Sequence, residues 1–112
     1  MGTKYTYGCN KCGYKALTSG GHDFGFFAVV DTYICKSCKE IVDVTVGKEG
    51  VTYTREEAAS QREKQRYDLD YYNCPNCRSG DNLTKWDDIR KPCPRCDGSL
   101  DKEMDGHVIL WD

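Results

Sequence analysis

Tyr7-Gly8-Cys9-Asn10-Lys11-Cys12-Gly13-Tyr14 sets two thiols on one tight turn with a glycine directly behind it. The C-x-x-C arrangement returns at Cys35/Cys38, Cys74/Cys77 and Cys93/Cys96, and these pairs use all 8 cysteines. Such a turn presents two thiolates to one ion, and two turns complete a tetrahedral shell, so four turns predict two metal sites. Disulfides are the competing use. The leading MGTKYTYGCN has no apolar stretch of the kind a secretory signal carries, and no segment is long enough to span a membrane. The expected setting is therefore cytoplasmic, where thiols stay reduced. Redox catalysis is disfavoured, because turn-forming or charged residues follow each pair where a thioredoxin-like site would open a helix. Gly2 and Thr6 fit a short acylation pattern, but no polybasic stretch accompanies it, and an initiator methionine before a small residue explains it.

Composition agrees with a metal-dependent fold. Of 112 residues only 38% are hydrophobic, against 30% charged and 11 glycines, which is thin for a single large core. Two pieces of about 40 residues each would need metal to stand alone. The net charge of −2, evenly mixed, lacks the basic excess of a general DNA binder.

From Thr3 to Tyr53 the chain reads as short strands around a ribbon. TKYTYGC leads into the first turn and YKALTSGG leads away from it. FGFFAVVDTYIC delivers the chain to Cys35. EIVDVTVG then puts Val42, Val44 and Val46 on one face and Ile41, Asp43 and Thr45 on the other. Lys48-Glu49-Gly50 reads as a hairpin turn. The pattern changes at Thr54-x-x-Glu57, a capping box that opens a polar helix with Lys64/Asp68 and Arg66/Asp70 spaced as ion pairs. Its thin apolar face (Ala58, Ala59, then Tyr67 and Leu69) suits a solvated connector holding two halves roughly 20 Å apart. Beyond it, LTKW leads from the third turn toward the Lys91-Pro92 step, and HVILW reads as a terminal strand, with Asp105-Gly106 as a tight turn.

Spacing favours sequential ligand pairing. There are 22 residues between Cys12 and Cys35 and 15 between Cys77 and Cys93, but 35 between Cys38 and Cys74. On that count Cys9, Cys12, Cys35 and Cys38 hold one ion, and Cys74, Cys77, Cys93 and Cys96 hold the other. Interleaved pairing, as in cross-brace domains, is the alternative.

YGCNKCGY, YNCPNC and KPCPRCDG resemble the turns of the zinc-ribbon and rubredoxin-like group. The resemblance covers the four turns and their flanking strands, and implies two zinc-ribbon domains joined by an α-helix: residues 1–53, a helical connector over 54–69, and residues 70–112. The fold class is then small, metal-stabilised and mainly β. Members of this group contact nucleic acid, dock on proteins or, with iron, carry single electrons, so the resemblance specifies a metal site far better than a function. Cys35-Lys36-Ser37-Cys38-Lys39 departs from the C-P-x-C-G of rubredoxins, which favours two structural Zn²⁺ over Fe.

Outside the cysteines, Phe24, Phe26 and Phe27 lie close together. Phe26 or Phe27 is expected to fill the core, and Phe24 is left open between the core and an exposed platform that stacks on a base or docks a partner. Lys11, Lys15, Lys36 and Lys39 flank the first two turns, and Arg78, Arg90, Lys91 and Arg95 the last two, so they are candidate contacts to a partner or to phosphates. His22 and His107 are surplus to complete Cys₄ shells. Glu56-Glu57 and Asp87-Asp88 have no nucleophile or base beside them, and no catalytic role is expected. The expected function is that of a non-catalytic, zinc-binding adaptor for a protein, with no membrane and no small-molecule substrate. RNA or DNA binding and rubredoxin-type electron transfer are the alternatives.

Overall fold

The computed structural model describes residues 2–25, 27–64, 71–104 and 106–111. Six strands come first: β1 (Gly2–Cys9), β2 (Lys15–Thr18), β3 (Asp23–Phe24), β4 (Ala28–Cys35), β5 (Glu40–Lys48) and β6 (Val51–Thr52). Helix α1 (Arg55–Lys64) follows, then β7 (Leu83–Lys85), β8 (Leu100–Lys102) and β9 (Val108–Trp111). The mainly β character read from the alternation is present. Its partition along the chain is different from the expected one.

The first two C-x-x-C turns each close a hairpin. β1 runs into Cys9 and returns as β2, with Gly8 opposite Lys15 and Tyr5 opposite Thr18. β4 runs into Cys35 and returns as β5, with Cys35 opposite Glu40. A two-stranded hairpin is marginal alone in water, so each must find cover along its open edge. For β1 that cover comes from the far end of the chain: Cys9 faces Leu100 of β8, and Gly2 faces Trp111 of β9. β4 takes β7, with Cys35 facing Leu83, and β3 along the same edge, while β6 extends β5.

Both sheets thus follow one plan. A hairpin enters and leaves one C-x-x-C turn, and the strand after a second turn lies along the hairpin's first strand. The unit from β3 to β7 is inserted inside the unit made of β1, β2, β8 and β9. This corrects the expected split into 1–53 and 70–112, because strands from both sides of the helix share each sheet. It also reassigns the helix, which belongs to the inner unit. Its capping box forms as read, with Thr54 N–H donating to Glu57 Oε1 and Glu57 N–H to Thr54 Oγ1, each at 3.1 Å. Ala58 is buried and α1 contacts β5, so the helix start is docked on the sheet. Lys64/Asp68, Arg66/Asp70, Tyr67 and Leu69 rest on positions outside the described residues.

Among the described residues two apolar clusters hold the sheets together. Tyr7, Tyr14, Ile41, Trp86 and Leu100 pack with Cys9 and Cys93. Val29, Val42, Val44 and Val46 pack with Cys35 and Cys74, flanked by Tyr33, Tyr72 and Leu83. β5 feeds both clusters, so the alternation of EIVDVTVG is real and both of its faces are covered. Trp86 bridges the units. Its N–H donates to the Thr32 carbonyl at 3.0 Å, its Nε1 to the Pro92 carbonyl at 2.9 Å, and its ring meets Tyr7 edge-on at 5.6 Å.

A buried polar knot lies between the sheets. Asp43 Oδ1 accepts from Thr18 Oγ1 at 2.6 Å and Thr32 Oγ1 at 2.9 Å, while Oδ2 accepts the Ser19 N–H at 2.9 Å. Thr18 and Thr32 are fully buried, so these bonds satisfy groups that water cannot reach. They tie β2, β4 and β5 in one place.

The expectation that Phe26 or Phe27 fills the core is not met at Phe27, which is exposed as Phe24 is. Phe27 sits where the chain swings from β3 to β4, its carbonyl accepting the Glu49 N–H at 2.8 Å, and the valines of β4 and β5 supply the core in its place. Phe26 lies outside the described residues. Among the described residues no helix is long and apolar enough to cross a membrane.

Candidate metal centre

The strand pairing decides which thiols meet. Leu100 stands opposite Cys9 and follows Cys96 closely, so the last C-x-x-C turn is delivered to the first. Leu83 stands opposite Cys35 and delivers the third turn to the second. Cys9, Cys12, Cys93 and Cys96 form one group, and Cys35, Cys38, Cys74 and Cys77 the other, with the sulfurs of each within 4.8 Å of one another. Sequential pairing is therefore overturned, and the arrangement is not the interleaved one either. It is nested. The physical reason is that loop closure depends weakly on length. Closing the 80 residues between Cys12 and Cys93 in place of the 22 between Cys12 and Cys35 costs only about 1 kcal/mol more. Strand register outweighs that.

The turns share a backbone design. Cys9 N–H donates to the Tyr14 carbonyl at 2.8 Å, Cys74 N–H to Ser79 at 2.9 Å and Cys93 N–H to Gly98 at 3.0 Å. In three turns the residue after the second cysteine donates back to the first: Gly13 to Cys9, Lys39 to Cys35 and Arg78 to Cys74. That residue is left-handed, with φ of 81° at Gly13, 55° at Lys39 and 64° at Arg78. Gly13 adopts it without strain, whereas Lys39 and Arg78 each accept a cost of about 1 kcal/mol to close the turn.

The sulfur geometry fits a tetrahedral ion. Bonds of about 2.3 Å to a central metal imply edges of about 3.8 Å between sulfurs. Cys9 and Cys96 lie 3.5 Å apart, Cys12 and Cys93 3.6 Å, Cys35 and Cys77 3.8 Å, and Cys38 and Cys74 3.9 Å. A disulfide would need about 2.05 Å, and all eight thiols are free. Backbone amides aim at the outer tetrad: Lys11 N–H at Cys9 Sγ (3.4 Å), Arg95 N–H at Cys93 Sγ (3.4 Å) and Gly98 N–H at Cys96 Sγ (3.3 Å). Such donors favour the thiolate. The amide of Cys12 chiefly brings the Cys9 thiol down to about 6. In the inner tetrad the proton that Cys38 shares with Cys35 pushes its thiol up to about 12. Four sulfurs around one ion leave no coordination position for water or substrate, which is the pattern of a structural centre. The first cysteine of every pair is buried, and Cys12 and Cys77 are exposed, so each shell faces the core on one side and solvent on the other.

The flanking cations have mixed fates. Lys11 pairs with Asp97, Lys15 with Glu103 at 3.2 Å, and Arg95 with Glu40 at 3.4 Å. Arg95 Nε also donates to the Lys39 carbonyl at 3.1 Å, and its guanidinium lies 4.7 Å from the Tyr14 ring centre. Lys36 is exposed at the inner turn, and Arg78 lines a cleft of about 180 Å³ with Asp43, Thr45, Asn73 and Pro75. Arg90 N–H donates to Asp87 Oδ1 at 3.2 Å and Ile89 N–H to the same oxygen at 2.9 Å, which holds the Asp87 carboxyl below its usual range. Lys91 is left-handed, with φ 53°. His22 Nδ1 lies 2.8 Å from Asp31 Oδ1, and the His107 carbonyl accepts from Thr6 Oγ1, so neither histidine joins a tetrad.

Comparison of the chain with family models, with curated proteins and with solved structures finds no match.

Proposed function

We propose that the chain is a non-catalytic docking module, held in shape by two structural Zn²⁺, that binds an extended apolar segment of a partner protein along β9. The observation that carries the reading is the edge itself. Among the described residues β9 pairs with β1 alone, and Val108, Ile109 and Leu110 are exposed in succession, Leu110 at 63%. Open edges are usually blunted by lysine, proline or a bulge, and these three residues carry none of that protection. Val108 and Leu110 lie on one face and Ile109 on the other, so an added strand would gain main-chain hydrogen bonds and apolar contacts on both sides.

Zinc is favoured over iron because Lys36 and Lys39 flank the inner turn where a rubredoxin has proline and glycine. Free, paired thiols suit a reducing compartment such as the cytoplasm. RNA or DNA binding through Lys36, Lys39, Arg78 and Phe24 is the second reading. It is disfavoured because Lys11, Lys15 and Arg95 are engaged by acidic partners and each zinc tetrathiolate adds net negative charge.

The test is capture from native cells with the wild-type chain and with the doubly substituted Val108→Lys/Leu110→Lys chain, each with and without nuclease. A protein retained by the wild type, lost with the substituted edge and indifferent to nuclease supports docking. Retention that survives the edge substitutions, or that nuclease abolishes, overturns it.

A further inference from the structure

We infer that the two metal centres take up their ions cooperatively, and that Arg95 is the positioning residue that couples them. The inference rests on the metal-binding reading above and goes beyond it.

Arg95 lies inside the Cys93–Cys96 turn of the outer centre, where its backbone N–H donates to Cys93 Sγ. Its side chain belongs to the other centre. Nε donates to the carbonyl of Lys39 and Nη2 reaches Glu40 Oε1, and these are the two residues that follow Cys38. Lys39 is the left-handed residue that closes the inner turn by donating to the Cys35 carbonyl at 2.8 Å. The second carboxylate oxygen of Glu40 accepts Asn76 Nδ2 at 2.9 Å, and Asn76 lies inside the Cys74–Cys77 turn. Tyr14 completes the circuit. Its carbonyl accepts the Cys9 N–H at 2.8 Å, its hydroxyl accepts the Ile41 N–H at 3.0 Å, and its ring carries the Arg95 guanidinium. All four C-x-x-C turns therefore meet around Glu40, Arg95 and Tyr14.

The coupling follows from entropy. An ion in the inner centre fixes the Lys39 carbonyl and the Glu40 carboxylate. Arg95 then finds its acceptors already in place, and the outer turn closes at lower cost. By reciprocity an ion in the outer centre favours the inner one equally. Arg95 and Glu40 are both part-exposed, with side chains at 48% and 38%, so the coupling is modest, about two- to ten-fold in affinity.

Native mass spectrometry of the full chain with one equivalent of zinc reads this directly. Two equal, independent centres would leave about half of the molecules with a single ion. The wild type should show fewer, with metal-free and two-ion species in excess. Arg95→Ala, which keeps the backbone donor to Cys93, should raise the single-ion share, and Glu40→Gln, on the other centre, should do the same. A single-ion share that neither substitution raises overturns the coupling while leaving two-ion binding intact, and a wild-type share above one half that both substitutions raise further reads as coupling between unequal centres. A chain that takes up no zinc at any ratio overturns both the coupling and the reading beneath it.

Discussion

Cys9 Sγ and Cys96 Sγ lie 3.5 Å apart although 87 positions separate them in sequence. The outer centre thus ties β1 at one end of the chain to β8 and β9 at the other, while the inner centre is closed by turns on either side of the helix. Cys96→Ser should therefore lower bound zinc from two ions per chain toward one. Amide exchange should rise more in β1 than in β4 and β5. Loss of protection in β4 and β5 with β1 unaffected would contradict the nested arrangement.

Metal removal should unfold both units. A structural Cys₄ zinc contributes on the order of 10 kcal/mol in apparent terms, and the two apolar clusters are small for a chain of this length. Freshly purified protein should be colourless and contain zinc, and a strong chelator should erase its near-ultraviolet dichroism. A fully stripped protein with an unchanged spectrum would show that the apolar clusters suffice.

Asp43→Asn should destabilise the junction of the sheets. The carboxylate accepts from two buried hydroxyls and one amide, and an asparagine must turn a donor toward one of them. The expected loss is about 1–3 kcal/mol, read as a lower denaturation midpoint with zinc content unchanged. No loss would mean that the knot is replaceable by water.

Tyr7 and Tyr14 are buried, and burial raises the ionisation of both above the ordinary tyrosine value. The folded state therefore holds these protons longer than the unfolded chain does. Their contribution to stability is full below pH ~10 and is lost as pH rises beyond it. Alkaline titration followed at the tyrosinate absorbance should show part of the tyrosine population ionising late and together with unfolding. Tyr14→Phe, which removes the acceptor of the Ile41 N–H, should cost about 1–3 kcal/mol.

The cysteine spacing revealed that two Cys₄ centres exist, and the alternation around them revealed strands, because both signals are local. Gly13 could be read as a left-handed turn closer, and Thr54 with Glu57 as a helix cap. Lys39 and Arg78 fill the same left-handed role with no glycine to betray it. Ligand pairing is not legible in the spacing because it depends on which strand lies along β1, and Leu100 opposite Cys9 is a long-range choice that neither residue announces. The roles of Trp86 and Asp43 are hidden for the same reason, since each matters only once two distant strands have met. Arg95 was legible as a cation on a turn, and only its neighbours Lys39, Glu40 and Tyr14 show that it faces inward.

The nested pairing can be measured directly by replacing zinc with ¹¹³Cd and following scalar coupling from each cadmium resonance to cysteine β-protons. One resonance should couple to Cys9, Cys12, Cys93 and Cys96, and the other to Cys35, Cys38, Cys74 and Cys77. A resonance that couples to both Cys9 and Cys35 would contradict the account.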